Sequence, residues 1–184
     1  MEKQRLPLIE LRDITKTFPG VKALSNVSFD IYPGEVHALC GENGAGKSTL
    51  IKVMTGAHQP DSGKIFIEGE EVRFTSPHQA IEKGIACIYQ ELTIAPQLDV
   101  AKNVFLGNMF VNRFGLLDLK RLYRDTKEIL TDYIGLNVSP KTLAGELSVG
   151  QQQMIEIGRA LTRHARVIIM DEPTSSLSEA ETET

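Results

Sequence analysis

The sequence predicts an α/β fold with a mostly parallel sheet, an antiparallel N-terminal β-subdomain and an inserted helical subdomain. Three observations predict it. Short apolar runs alternate with Pro/Gly punctuation through the first third, helical spacing takes over between residues 91 and 162, and a continuous apolar run returns at Val167–Met170. Strand, helix, strand, helical insertion, strand is the order of an α/β domain.

The elements follow in order. Residues 8–11, 27–31 and 36–40 read as strands joined by turns, the last of them preceded by Tyr32-Pro33-Gly34. Residues 47–55 carry Leu50, Ile51 and Met54 at helical spacing, with Gly56 as a left-handed terminator and Pro60 beyond. Residues 65–67 and 72–74 flank Gly69 as a hairpin, 77–83 form a helix ending at Gly84, and 85–89 is an apolar strand of the kind buried in a parallel sheet. Leu119, Leu122, Tyr123, Ile129, Leu130, Tyr133 and Ile134 form one apolar stripe on a helix that Asp118 caps. Ser148 and Gln151 make a Ser-x-x-Gln capping box that opens a helix through Met154, Ile155 and Leu161. Val167–Met170 then reads as a buried strand.

The composition sets limits. In 184 residues, 20 Lys+Arg face 24 Asp+Glu, a formal charge of −4, with 41% hydrophobic and 24% charged residues. Such a chain can bury a core and is one domain in size. A net acidic chain without a Lys/Arg run lacks the basic face that releases counterions from a duplex, so no nucleic-acid partner is expected. No apolar run approaches the ~18 residues of a spanning helix. Met1 to Arg5 lead into no apolar stretch of signal-peptide length, so the expected compartment is the cytoplasm. Cys40 and Cys87 stand alone on apolar runs and read as buried, reduced thiols, and His37, His58, His78 and His164 show no metal-ligand spacing.

Chemistry concentrates at Gly41-Glu42-Asn43-Gly44-Ala45-Gly46-Lys47-Ser48, followed by Thr49, which fits GxxxxGK[ST] between a strand and a helix. This is a P-loop: glycines let the chain curl so that successive N–H groups face inward, and the helix N-terminus adds positive potential for phosphates. Lys47 neutralises phosphate charge, and Ser48 offers a hydroxyl to Mg²⁺, an ion that takes few protein ligands. Val167–Met170 delivers Asp171 and Glu172 at the carboxyl end of a strand, where open α/β sheets bind ligands. Asp171 is expected to hold the Mg²⁺ shell and Glu172 to act as general base on the attacking water.

With these residues the chain resembles the ATP-binding cassette (ABC) ATPases that drive membrane transporters, and the resemblance spans nearly its whole length. Leu147-Ser148-Val149-Gly150-Gln151 resembles the family's LSGGQ signature, and Gln90 resembles its Q-loop glutamine, a Mg²⁺ and catalytic contact. The resemblance implies that Ser148, Gly150 and Gln151 meet the nucleotide of an opposite cassette and that Phe18 stacks on adenine, with Val21 and Ala23 beside it. Val149 departs from the commoner glycine, and its Cβ would crowd a close phosphate. The run LSVGQQQ, Tyr89-Gln90-Glu91-Leu92 and residues 175–181 are similar to the ATPases of bacterial ribose, galactose, xylose and arabinose importers, in which two cassettes are usually fused.

The resemblance implies one cassette divided into an ATP-binding core with the β-subdomain (1–90), a helical subdomain (91–162) and a return to the core (163–184). ATP and Mg²⁺ are its implied cofactors. Its partners would be a second cassette (homodimer or fused tandem), integral membrane permease subunits and, indirectly, a periplasmic sugar-binding protein, at the inner face of the cell membrane. The family's switch histidine and further strands are not found before Thr184, and Ser178 stands where the D-loop commonly has Asp. The expectation is therefore an incomplete cassette, a fragment or truncated product lacking the C-terminal strands. Two alternatives stand beside the importer: a nucleotide-binding fragment that does not hydrolyse, and a soluble ABC ATPase without a transport role.

Overall fold

The computed structural model describes residues 6–163 and 165–171, arranged as two compact units, 1–83 and 84–184. Glu172, the 175–181 run and His164 lie outside the described residues.

The first unit is built on a four-stranded antiparallel sheet. β1 (Ile9–Phe18) pairs with β2 (Val21–Ile31) on one side and β3 (Ser62–Ile67) on the other, and β3 pairs with β4 (Glu70–Val72). Ile9 and Leu11 of β1 and Ile65 and Ile67 of β3 are buried, as strand alternation demands for a half-covered sheet. Ile14 is buried too, past a register shift between Leu11 and Ile14 that breaks the alternation. The β3–β4 turn is Glu68-Gly69, both at positive φ (52° and 81°), with Ile67 opposite Glu70. That two-residue turn matches strand twist and starts the second strand at Glu70. The expected strand at 72–74 is thereby moved, and Phe74 leaves the ladder to bury beside Gly56, where an added Cβ would meet the Phe74 Cβ at 2.7 Å. α1 (Lys47–Met54) buries Leu50, Ile51, Val53 and Met54, and Gly56 at φ 73° follows its end as expected. α2 (Pro77–Glu82) starts at its proline.

The expected strand at 36–40 is a correction. Among the described residues it joins no ladder, Val36 is 99% exposed and Cys40 is exposed. Apolar composition marks a segment able to be a buried strand, but a strand exists only where another backbone answers its N–H and C=O groups. Cys40 is therefore not the buried thiol that its neighbours suggest.

The second unit holds a parallel pair, β5 (Ile85–Ile88) beside β6 (Val167–Met170), in register Ile85↔Val167 to Ile88↔Met170. Antiparallel pairing thus exceeds parallel pairing among the described residues. β6 is half-buried rather than buried, with Met170 48% exposed. The helices are α3 (Val100–Val104), α4 (Leu119–Glu128) and α5 (Val149–Thr162), packed through Val100, Val104, Leu122, Leu130, Ile134 and Ile155. Asp118 caps α4 by accepting the Arg121 N–H at 3.0 Å. The helix does not run on as a regular α-helix: Ile129–Tyr133 forms a wider, π-type turn. One extra residue per turn shifts the apolar face, so Leu130 and Ile134 bury while Tyr133 is exposed; Leu119, at the start of α4, is exposed as well.

Candidate functional site

The glycines of the P-loop take the left-handed conformations that their sequence requires, although among the described residues no strand leads directly into the loop. Gly44 and Gly46 take φ 86° and 96°, and a Cβ on Gly46 would stand 2.4 Å from the Ala23 carbonyl oxygen and 3.0 Å from Leu24 Cδ2. No L side chain fits there. Ala45 N–H closes the loop on Glu42 O at 3.1 Å, and Leu50 N–H returns to Gly46 O at 2.9 Å as α1 begins. Gly46 supplies no side-chain cap to the first turn, so the turn containing Lys47, Ser48 and Thr49 keeps its donors for an external acceptor. The Lys47 ammonium donates to Gly41 O at 2.7 Å and Glu42 O at 3.1 Å. It is folded back over the loop that precedes α1. Gly41, Glu42, Asn43, Gly44, Ala45 and Ser48 are exposed.

Phe18 ends β1, opposite Val21 across the Pro19-Gly20 turn, with Gly20 at φ 83°. Its half-buried ring meets His58 edge-on, centroids 5.4 Å apart at 67°, and Lys16 Nζ lies 5.6 Å from the ring centre. Neither His58 nor Lys16 carried a signal in the sequence.

In the second unit, the parallel register brings two expected site residues to one end. The Asp171 N–H donates to Ile88 O at 3.0 Å, so Gln90 and Asp171 follow the carboxyl ends of adjacent strands. Gln90 is exposed and Asp171 half-buried. Beneath them Cys87 has its thiol pushed up to about 11, by burial first and by the nearby Asp171 and Glu156 charges, against a hydrogen bond with Tyr89. The capping box at α5 is closed in both directions: Ser148 Oγ accepts Gln151 N–H at 3.2 Å and Gln151 Oε1 accepts Ser148 N–H at 3.1 Å. Ser148 and Val149 are exposed, whereas Gly150 is buried.

A buried polar frame joins these two regions, and no motif in the sequence marks it. Glu156 on α5 accepts from Thr93, three residues past Gln90; Arg159 Nε donates to Asn103 O at 2.9 Å; Asn103 Oδ1 accepts Ala95 N–H at 2.9 Å. Burial lowers the Arg159 pKa, with Glu156 acting in the opposite sense. Polar residues on the inner face of a helix were the available signal.

Known proteins resemble this arrangement. Residues 24–175 match the family model described as ABC transporter. The chain is 52% identical to a ribose/galactose/methyl galactoside import ATP-binding protein of Agrobacterium fabrum over 97% of its length. It is 50% identical to a ribose import ATP-binding protein of Rubrobacter xylanophilus over 95%. It spans about a third of the length of these curated relatives, 35% of each. The fold matches the crystal structure of an ATP-binding cassette of an ABC transporter in its ADP conformation with a TM-score of 0.78 and 28% identity, covering 96% of this chain and 73% of that one. A dimeric ATP-binding cassette in a post-hydrolysis state with ADP and Pi gives 0.78 and 26%, covering 95% and 78%.

Proposed function

This chain belongs to the ABC transporter family, and from that membership we propose that it is part of the ATP-binding and ATP-hydrolysing subunit of a monosaccharide importer. The observation that carries the reading is the P-loop: a cradle closed to any side chain at Gly46, with Lys47 folded over it and an uncapped helix start behind it. An ATP triphosphate is the multiply charged anion such a cradle suits. The sugar class rests on the names of the two import relatives.

In this reading Lys47 and the N–H groups of residues 41–49 bind the phosphates, and Phe18 stacks on the base. By the family's pattern Ser48, Gln90 and Asp171 would each offer Mg²⁺ a hard oxygen donor of the kind it takes. Mg²⁺ would supply positive charge to neutralise the phosphates. Glu172, outside the described residues, would take a proton from the attacking water. Ser148, Gly150 and Gln151 would face the nucleotide of a second cassette, a homodimer mate or a fused tandem copy. The subunit would sit at the inner face of the cell membrane against permease subunits served by a periplasmic sugar-binding protein. Among the described residues no helix is long and apolar enough to cross a membrane. The division into 1–90, 91–162 and 163–184 belongs to this proposal as well.

A second reading, a cassette that binds nucleotide without turning it over, is favoured by the exposed, ladder-free segment 36–40 that leads into the P-loop. ATP titration by calorimetry and phosphate release on one sample separate the two. Lys47-dependent binding with Lys47-dependent turnover supports the importer ATPase. Binding alone supports the second reading, and affinity unchanged in Lys47→Ala overturns both.

A further inference from the structure

Phe18 is not held by its own hairpin alone. The loop that leaves α1 grips it. His58 N–H donates to Lys52 O in the last turn of α1 at 2.9 Å, and the His58 ring meets Phe18 edge-on at 5.4 Å. Three residues on, Asp61 N–H donates to Thr15 O at 2.8 Å, and the Asp61 carboxylate accepts Thr17 N–H at 2.7 Å through one oxygen and Lys16 Nζ at 2.8 Å through the other. Lys16 in turn stands 5.6 Å from the Phe18 ring centre. The helix that begins at Lys47 in the phosphate loop thus ends in a segment clamped to the hairpin that carries the aromatic.

We infer that His58 and Asp61 are positioning residues for the purine: they set the Phe18 ring at a fixed place relative to the phosphate loop. The inference rests on the proposed nucleotide-binding role. A half-exposed phenylalanine near a hairpin tip has rotamer freedom to lose when a base stacks on it. Clamping the ring in advance removes that cost from binding. The base and the triphosphate are joined covalently, so the distance between ring and loop decides whether both engage together, and the α1–Asp61–Thr17 connection sets that distance. Lys16, then Thr17, hold the Asp61 carboxyl below the usual aspartate value.

The test compares ATP with inorganic tripolyphosphate, which has the charge but no base, by calorimetry on the chain and on Phe18→Ala, His58→Ala and Asp61→Ala. Thermal midpoints check folding. Removing the clamp should weaken ATP about two- to tenfold, the order of one immobilised side chain, and leave tripolyphosphate unchanged. Asp61→Ala added to Phe18→Ala should cost nothing further, since the two act through one ring. Equal losses for both ligands, or no loss for ATP, would overturn the positioning role. If Phe18→Ala itself leaves ATP and tripolyphosphate in their parent ratio, the stacking reading fails and the inference with it. If Phe18→Ala lowers that ratio while His58→Ala and Asp61→Ala do not, the inference alone fails.

Discussion

Glu156 Oε1 accepts both the backbone N–H of Thr93, at 2.7 Å, and its hydroxyl, at 2.5 Å, across 63 residues of sequence. Arg159 Nη1 donates to the same hydroxyl at 3.0 Å and approaches Glu156 Oε1 to 3.9 Å. Glu156 and Arg159 are buried, at 6% and 8% exposure. The helix that starts at Ser148 is thereby joined to the segment that starts at Gln90. A rotation of α5 must carry that segment with it or break buried charge-assisted hydrogen bonds.

Glu156→Ala should therefore be strongly destabilising, by about 3–5 kcal/mol, since it leaves the Arg159 guanidinium buried beside no carboxylate. Urea unfolding measures it. The double variant Glu156→Ala/Arg159→Leu should lose less than the sum of the single variants, because it removes the stranded charge as well. Additive losses would mean that the two residues act independently.

Gly46→Ala should abolish ATP binding and lower the unfolding midpoint. Its Cβ would meet the Ala23 carbonyl oxygen at 2.4 Å, and φ 96° adds strain of about 1–3 kcal/mol to the clash. Gly44→Ala, at φ 86° with nothing within 4 Å of its Cβ, has the strain without the collision. It should be the milder of the two in both calorimetry and thermal melts.

Ser148→Ala should cost about 1 kcal/mol, the usual worth of an N-cap, because the α5 first turn loses the acceptor for Gln151 N–H. Ser148→Asp should restore most of the stability, since a carboxylate also caps a helix start. If Ser148 serves a second cassette as well, Ser148→Asp will recover the melting temperature but not ATP-driven dimerisation measured by light scattering.

The two thiols should differ in chemistry. Cys40 is exposed beside Gly41, and Cys87 is half-buried with its thiol pushed up to about 11. Iodoacetamide at pH 8 should label Cys40 first, read by peptide mass, and saturating MgATP should slow that labelling because Cys40 adjoins the phosphate loop. Cys87 also carries a pH sign. Its folded value is raised, so the contribution of the protonated thiol is intact below pH 9 and is lost as pH rises toward 11. Chemical stability of the chain should fall across that window and less so in Cys87→Ala.

The parts legible in the sequence are those whose cause is local. Gly44, Gly46, Lys47 and Ser48 announce a glycine loop running into α1 because the glycines permit one backbone path and the helix begins where the path ends. Asp118 and the Ser148–Gln151 pair announce their helices because a cap bonds three residues away. Tertiary structure decided everything that needed a distant partner. The segment 36–40 has the composition of a buried strand, yet no backbone among the described residues answers it. The apolar stripe after Asp118 is broken by a wide turn that packing, not periodicity, selects. Lys16 meets Asp61 across 45 residues, and Thr93 meets Glu156 across 63. Sequence records which groups a residue owns and how its near neighbours repeat; which distant group satisfies a buried donor depends on the closed fold, where each unpaired polar atom costs more than any local preference supplies.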